Sequence, residues 1–414
     1  MRIVLALGAT AVTLVALEVG LRAFVLPSPG SAGRLFGSEL PPVRLVPREA
    51  PHVERREAPP GRIRRDDLTG LFREDPVLGY APREQARSTN DWWQSNNLGA
   101  RARRDTSPAI VPGTTRVLVF GDSFAAGSRV PQESAWPAVL EAGQPDLEVV
   151  NLGVDGYSAA QSLLRYRVLR DRLAHDIVVL TLSPRADFWR DVNTLRALLG
   201  WSSYTVMPRF VVDDGRLRFV PGPYDPPAAI YADNRTALSP RLRDHLRRYD
   251  RFYVPWMHEP LPAPLAGSVL VQFVLARWHA ALLQRRQWQA LDPREEAVAV
   301  SARIARAMRD DAAARGTRFL LVLLPSERDL GQLRRSAAYR NDWQAIAAAL
   351  AQDAVPCLDL APTLLAAPAD RIDRGFDGTH HGPRTNALIA AAVARALRSP
   401  PAPPHAGACA AAAG

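Results

Sequence analysis

The residues best suited to chemistry are a serine in the first third of the chain and an Asp-His pair near its end. Ser123 follows the apolar run 117–120, after a break at Gly121. Asp377 and His380 stand three positions apart. A serine hydroxyl is a poor nucleophile until a base takes its proton, and that base needs a third group to fix its tautomer. This set predicts acyl transfer with Ser123 as nucleophile, His380 as base and Asp377 as its orienting carboxylate.

The elements that must position these residues alternate between strand and helix. Five short apolar runs are typical of strands buried on both faces of a parallel sheet, at 116–120, 147–152, 177–182, 318–324 and 355–358. Helical patterns lie between or after them, at 136–142, 159–173, 296–314, 343–352 and 384–397. The alternation predicts right-handed crossovers and a three-layer α/β/α sandwich with a central parallel sheet. Ser123 would then lie at the carboxyl end of a strand, where ligands bind in such sheets.

The alternation fails between residues 183 and 295, which we interpret as an insertion. It contains a predicted hairpin at 210–219 with an Asp-Gly turn, and an amphipathic run at 269–283. A lid over the active edge of the sheet is the first interpretation of this insertion, and a membrane-facing helix is the second.

The two ends of the chain differ in composition from its body. After Met1 and Arg2 the chain carries no charge until Glu18, with Arg22 following. Residues 1–26 therefore predict a membrane anchor or a signal segment, with a buried helix as the alternative. Residues 27–70 are rich in Pro and Arg and predict a linker, 71–398 form the catalytic domain, and 399–414 read as a disordered tail.

Composition excludes some functions and leaves others open. The chain has 414 residues, and 52 basic residues against 42 acidic ones give a net charge of +10. Acidic residues are interspersed with the basic ones and no Arg-aromatic motif is present, so we expect no nucleic-acid partner. Cys357 and Cys409 cannot form a metal site alone; a disulfide is possible but no pattern requires it, and Cys357 is expected to be buried. No metal and no cofactor are expected.

Two motifs resemble blocks of the SGNH, or GDSL, hydrolase superfamily. Gly121-Asp122-Ser123-Phe124 resembles its first block, and Asp377-Gly-Thr-His380 resembles its last block, which leads into the final helix. The resemblance implies a flavodoxin-like fold, a serine nucleophile and a Ser-His-Asp triad. His381 competes with His380 for the role of base, but it stands where the family has a small residue or a proline. The alternative is that the His pair only caps a turn.

The resemblance also implies an oxyanion hole, with one departure from the family pattern. The backbone N–H of Ser123 is one expected donor, and Asn151-Leu-Gly-Val-Asp-Gly156 resembles the second block, whose glycine supplies another. The third block should contain Asn-Asp, but here Ala186 precedes Asp187. Loss of one oxyanion donor typically lowers the rate about 100- to 1000-fold, so Arg185 is the candidate replacement.

The expected substrate is an acylated glycan or lipid. Asp122, Tyr157 and Trp189 are the candidate substrate-binding residues. Resemblance to membrane-anchored bacterial members implies a single-pass inner-membrane protein whose catalytic domain lies in the periplasm or outside the cell. It would act on an acyl ester, with acetyl as the expected acyl group. Hydrolase and O-acyltransferase share an acyl-enzyme, so no residue separates them. The alternative from another class is a catalytically silent glycan-binding or assembly subunit on the same fold.

Overall fold

The computed structural model describes residues 2–46, 71–88, 90–201, 205–398 and 409–411, and its chain divides into two compact units. The helical unit comprises Met1–His52, Leu195–Val206 and Pro223–Trp288. The sheet unit comprises Val53–Thr194, Met207–Gly222 and Gln289–Gly414. The predicted insertion at 183–295 is thus divided between the two units. Residues 47–70 of the predicted linker and most of the predicted tail lie outside the described residues.

The sheet unit is built on parallel strands, and the five predicted strands are confirmed. They are β1 (Thr115–Phe120), β2 (Leu147–Asn151), β3 (Ile177–Leu182), β4 (Arg318–Leu323) and β5 (Cys357–Asp359), and the two-residue β6 (Ala410–Ala411) extends one edge. The order across the sheet is β6-β5-β4-β3-β1-β2. Every residue of β3 is buried, as the apolar runs predict for strands covered on both faces. Cys357 of β5 is buried and forms a disulfide with Cys409 beside β6.

Helices cover both faces of this sheet. The five predicted helices are α1 (Trp136–Ala142), α2 (Ala159–Leu169), α3 (Glu296–Ala313), α4 (Ala337–Leu350) and α5 (Pro383–Arg398). Val117 of β1 belongs to a core with Trp136 and Ile389, whereas the ring of Phe120 on the opposite face meets Tyr166 of α2 at 5.6 Å. The fold is therefore the predicted three-layer α/β/α sandwich.

Two helix boundaries differ from those predicted by more than two residues. The helix predicted at 159–173 ends at Leu169. The helix predicted at 343–352 begins earlier, at Ala337, because the hydroxyl of Ser336 caps it by accepting the N–H of Tyr339 at 3.2 Å. Shorter helices complete the unit, at Ser123–Ala126, Pro184–Asp191, Glu327–Arg335 and Ala361–Ala366.

The sheet unit also contains two hairpins. One pairs Phe72–Asp75 with Gly79–Pro82, and the other pairs Arg209–Asp213 with Arg216–Val220. The second hairpin is the one predicted from its Asp-Gly turn, and Gly215 adopts the left-handed φ of +74° that this turn requires.

The helical unit begins with the helix Arg2–Arg22, followed by a short hairpin of Gly33–Leu35 with Ser38–Leu40. Its other helices are Ala229–Asp233, Pro240–Tyr249, Pro255–His258, Ala263–Ala266 and Val269–Gln289, the last of which contains the predicted amphipathic run. Within the residues that the structure describes, no helix has both the length and the apolar character of a membrane span.

Candidate active site

A tight turn presents Ser123 at the end of β1. Gly121 has φ +146°, and a Cβ there would lie 2.3 Å from Oγ1 of Thr181 on β3, so this position demands glycine. Asp122 then caps the short helix Ser123–Ala126 by accepting the N–H of Phe124 at 2.8 Å. We call residues 121–123 the first loop. It places the serine at the carboxyl edge of the sheet, as predicted.

Ser123, His380 and Asp377 are brought together although 257 positions separate the serine from the histidine. Nε2 of His380 lies 2.8 Å from Oγ of Ser123, and Nδ1 of His380 lies 2.6 Å from Oδ2 of Asp377. With the Nδ1–H tautomer, the imidazole donates to the carboxylate and its Nε2 accepts the serine proton. This is the arrangement that activates a serine for attack on a carbonyl carbon.

Asp377 is held in its ionised form by its own loop, residues 372–382, which we call the histidine loop. Its Oδ1 accepts the N–H of Thr379 at 3.0 Å and that of His380 at 3.1 Å. Burial by itself would raise the pKa of Asp377, but the bond and charge of His380 together with these N–H groups lower it well below its usual value. The carboxylate therefore remains charged and orients the imidazole.

The two adjacent histidines have different environments. The ring of Phe124 stacks on His380 with centroids 4.7 Å apart, which fixes the plane of the ring that faces Ser123. His381 is buried, its ring meets the edge of Phe124, and burial lowers its pKa to about 4. The structure thus places His380, rather than His381, against the serine.

The second loop, residues 151–158, begins at the last residue of β2 and packs directly against the short helix Ser123–Ala126. A Cβ at Gly153 would lie 2.4 Å from the backbone nitrogen of Ala126, so this glycine allows the close approach. Gly156 has φ +77°, which favours glycine at this position. Its neighbour Asp155 accepts from the hydroxyl of Ser128 and pairs with Arg129 at 3.2 Å. These contacts hold the second loop, which carries the expected second oxyanion donor, against residues 126–129 that follow Ser123.

Arg129 links this second loop to the histidine loop. Its Nη2 pairs with Asp155, and its Nε lies 3.9 Å from Oδ2 of Asp377. Its carbonyl accepts the N–H of Phe376 at 3.2 Å, and its φ of +71° is unusual for a residue with a side chain. Sequence analysis did not identify Arg129, because its partners lie far away in the chain.

We call residues 183–190, the turn and most of the short helix that follow β3, the third loop. It contains a buried ion network. Nη1 of Arg190 lies 3.0 Å from Oδ2 of Asp122 and 3.1 Å from Oδ1 of Asp187, and it donates to the carbonyl of Tyr157 at 3.3 Å. One guanidinium therefore connects the first, second and third loops. Burial and the neighbouring charge of Asp122 raise the pKa of Asp187.

Sequence analysis did not assign Arg190 to this network. The signal that was present is the i, i+3 spacing of Asp187 and Arg190 on one helix, which favours their ion pair. The pairing with Asp122, 68 positions away, has no counterpart in the local sequence.

The other predicted site residues have partners inside the protein. Asp122 is 1% exposed and is used in the cap and the Arg190 pair. Tyr157 is 1% exposed and its hydroxyl donates to the carbonyl of Tyr80 at 2.7 Å, while Trp189 is 7% exposed with the guanidinium of Arg190 over its ring. These contacts stabilise the loops and leave no surface of Asp122 or Tyr157 for a substrate.

Arg185, the expected replacement for the missing amide, interacts with Tyr339 of α4 and with Asp329. The backbone N–H groups of Ser123 and Gly156 remain the expected oxyanion donors. Among the described residues, no group of three or more His, Cys, Asp or Glu side chains is placed to hold a metal ion.

Comparison with known proteins gives limited likenesses. No family model matches the chain. An arylesterase from Vibrio mimicus is 38% identical over 79 residues, which are 18% of this chain and only 39% of that relative.

Solved structures resemble the chain more broadly but more weakly. A protein described as lipolytic and of the G-D-S-L family from Desulfitobacterium hafniense is 14% identical, covers 68% of this chain and 99% of its own, and gives a TM-score of 0.29. An alpha/beta hydrolase enzyme from the metagenome of Lake Arreo is 13% identical, covers 70% of this chain and 97% of its own, and gives a TM-score of 0.34. Likenesses at these TM-scores carry no information about activity, so the chemistry must be argued from the site itself.

Proposed function

We propose that the protein is a serine esterase or O-acyltransferase of the SGNH type, with Ser123, His380 and Asp377 as its catalytic triad. The observation that supports this most is the unbroken relay from Asp377 through His380 to Ser123, with bonds of 2.6 Å and 2.8 Å. The likeness to an arylesterase over 79 residues supports the same class of reaction.

In the proposed first step, Oγ of Ser123 attacks the ester carbonyl carbon while its proton moves to Nε2 of His380. The carbonyl oxygen becomes an oxyanion, and the N–H groups of Ser123 and Gly156 stabilise it. The intermediate then collapses, the bond to the alkoxy oxygen breaks, and the imidazolium returns the proton to the leaving alcohol. An acyl-enzyme on Ser123 remains.

In the second step His380 takes a proton from an acceptor hydroxyl, whose oxygen attacks the acyl carbon. The bond between that carbon and Oγ of Ser123 then breaks, and the imidazolium returns the proton to Oγ. Water as acceptor makes the protein an esterase, and a sugar hydroxyl makes it an O-acyltransferase. Because Asp377 stays ionised, it stabilises the imidazolium that forms in both steps. Neither step requires a metal or a cofactor.

Substrate and location remain parts of the proposal. The expected substrate is an acyl ester, acetyl above all, on a cell-surface glycan or a lipid. Residues 1–26 would attach the protein to the inner membrane with the catalytic domain outside the cytoplasm. Alkaline phosphatase fused after Pro60 is expected to be active in cells; a silent fusion would contradict export.

The test of catalysis is turnover of p-nitrophenyl acetate by the full-length protein. Ser123→Ala and His380→Ala are each expected to lower kcat by at least about 10⁴-fold, because nucleophile and base act as one unit. His381→Asn is the matched control: it alters the neighbouring imidazole, which does not contact Ser123, and should lower kcat less than about tenfold.

A second readout separates catalysis from its alternative. A fluorophosphonate probe should label the wild-type chain at Ser123 and leave Ser123→Ala unlabelled. The silent-subunit alternative has one observation in its favour, the alanine at position 186 where a family amide donor is expected. Equal turnover by wild type and Ser123→Ala, with no labelling, would favour that alternative and reject the proposed enzyme.

A further inference from the structure

Between residues 12 and 19, the N-terminal helix Arg2–Arg22 exposes apolar side chains. Val12 is 70% exposed, Val15 and Val19 are each 64% exposed, and Leu14 and Leu17 are also open to solvent. Their positions are spread around the helix rather than confined to one stripe. A helix that is apolar all round is stable when an apolar medium surrounds it.

A second exposed surface lies on the helix Val269–Gln289 of the same unit. Five of its exposed residues follow spacings of four, three, four and three, which place them on one face: Val274, Trp278, Ala281, Arg285 and Trp288. Arg277 is exposed beside them. We call this face the Trp-Arg stripe. Tryptophans with arginines on one exposed helical face are typical of segments that lie in the lipid headgroup region.

One carboxylate joins the two helices. Glu18 accepts the backbone N–H groups of Val269 and Leu270, each at 2.9 Å, and the hydroxyl of Ser268 at 2.9 Å. Arg22 lies one turn further along and pairs with Glu18 at 2.9 Å. An acidic side chain at the N-terminus of a helix satisfies its unpaired donors and complements its dipole. The end of the apolar helix is therefore tied to the start of the helix that carries the Trp-Arg stripe.

Aromatic side chains continue the exposed surface across this joint. The rings of Phe24 and Phe36 lie 6.0 Å apart, and Phe36 meets Phe273 edge-on at 5.9 Å. Phe24 and Phe36 are nevertheless 61% and 64% exposed. Trp278 stacks on Trp256 at 5.6 Å and remains 59% exposed. Aromatic rings grouped at the end of an apolar helix resemble the aromatic belt of a membrane interface.

We propose that the Trp-Arg stripe binds the surface of a lipid bilayer, with its aromatic rings at the headgroup level and Arg277 and Arg285 beside the phosphates. This inference rests on the proposed membrane attachment of residues 1–26 and adds a second contact, from a segment 250 positions later. A bilayer fits better than a second copy of the chain because the exposed apolar surface continues onto the helix Arg2–Arg22, whose exposed apolar residues between 12 and 19 lie around the helix rather than on one side. A second copy would cover only one side of that helix.

The test uses two neighbouring alanines that are both exposed, Ala280 and Ala281. They lie about 100° apart on the helix, so Ala281 is on the stripe and Ala280 is off it. Each is changed to Cys in the full-length protein and labelled with an environment-sensitive fluorophore. Cys357 and Cys409 form a disulfide and do not compete for the label. Val15→Cys, labelled in the same way, reports on the N-terminal helix.

The labelled proteins are placed in vesicles of phosphatidylcholine and phosphatidylglycerol that contain lipids with a nitroxide on the headgroup. Headgroup nitroxides should quench the label on Ala281→Cys at least about twofold more than that on Ala280→Cys, because only the former faces the interface. Equal quenching, with the Val15→Cys label quenched by chain nitroxides, overturns the inference and leaves membrane attachment intact. If none of the labels is quenched, membrane attachment fails and the inference fails with it.

Two further outcomes complete the test. Oxidative crosslinking of unlabelled Ala281→Cys between copies, in vesicles that hold many lipids per protein, would assign the stripe to a second copy and overturn the proposal. Turnover of p-nitrophenyl acetate by Ala281→Cys should equal that of the wild type. The esterase proposal can therefore fail or succeed independently of this surface.

Discussion

The first and third loops follow the neighbouring strands β1 and β3 at the same edge of the sheet, but they have different functions. The first loop presents Ser123 to His380 of the histidine loop. Its turn depends on Gly121, whose place no other residue can take. The third loop presents no nucleophile, since its own serine, Ser183, is buried. The side chain of its Arg190 points into the protein and binds the carboxylate of Asp122 in the first loop.

This difference bears on Ala186, which stands where the resemblance implies an amide. The resemblance leads one to expect an amide in the third loop that acts on the substrate. The structure instead supports a positioning function, since Arg190 binds Asp122, Asp187 and the carbonyl of Tyr157 together. Three predictions test whether the third loop acts on the first loop or on the substrate.

The largest effect is expected for Arg190→Met. Removing one partner of a buried ion pair leaves uncompensated charge and typically costs about 3–5 kcal/mol, so Tm should fall sharply. Asp122, which caps the helix that begins at Ser123, would lose its ion-pair partner. The position of Ser123 would then be less well fixed, so kcat should also fall. Thermal unfolding and p-nitrophenyl acetate kinetics measure the two effects.

The matched control is Arg116→Met. Arg116 forms a buried pair with Glu148 at 2.9 Å, but at the amino ends of β1 and β2, away from the triad. It should lower Tm by a similar amount with kcat unchanged for the fraction that remains folded. If both variants change kcat equally, the third loop has no specific effect on the first.

An intermediate effect is expected for Asp187→Asn, and it should depend on pH. The folded pKa of Asp187 is raised above its unfolded value of about 3.9. Its contribution to stability is therefore complete below the unfolded pKa and is lost as pH rises through the folded pKa. Asn does not titrate, so the Tm of wild type minus that of Asp187→Asn should decrease as pH increases above 4. A constant difference would mean that Asp187 has no raised pKa in the folded protein.

The smallest effect is expected for Ala186→Asn, which places the family amide in the third loop. Ala186 is half-buried and packs against the apolar core that includes Phe124. An amide there would lack a partner and cost about 1–3 kcal/mol, and kcat should change less than about threefold. An oxyanion donor is typically worth about 100- to 1000-fold, so a gain of that size would show that the site lacks one and that the third loop can supply it.

Much of the fold follows from local pattern. The apolar runs predicted five strands and their alternation with helices, because strands buried on both faces must be apolar throughout. The turn at Gly121 and the three-residue spacing of Asp377 and His380 are equally local. Helix ends were less predictable: α4 starts at Ala337, after a Ser336 cap that the sequence analysis did not identify. The pairing of Cys357 with Cys409 was left open, because no sequence pattern specifies it.

The sequence by itself thus determined the layered architecture, the strand that carries Ser123 and the acid-base pair at the other end of the chain. Only the tertiary structure decided that Arg129 joins the second loop to Asp377, that Asp122 and Tyr157 are used in contacts inside the protein, and that Glu18 caps a helix 251 positions away. The physical reason is that periodicity and turn chemistry act between near neighbours. Partners such as Arg190 and Asp122 are selected by packing, which brings together charges that the sequence keeps far apart.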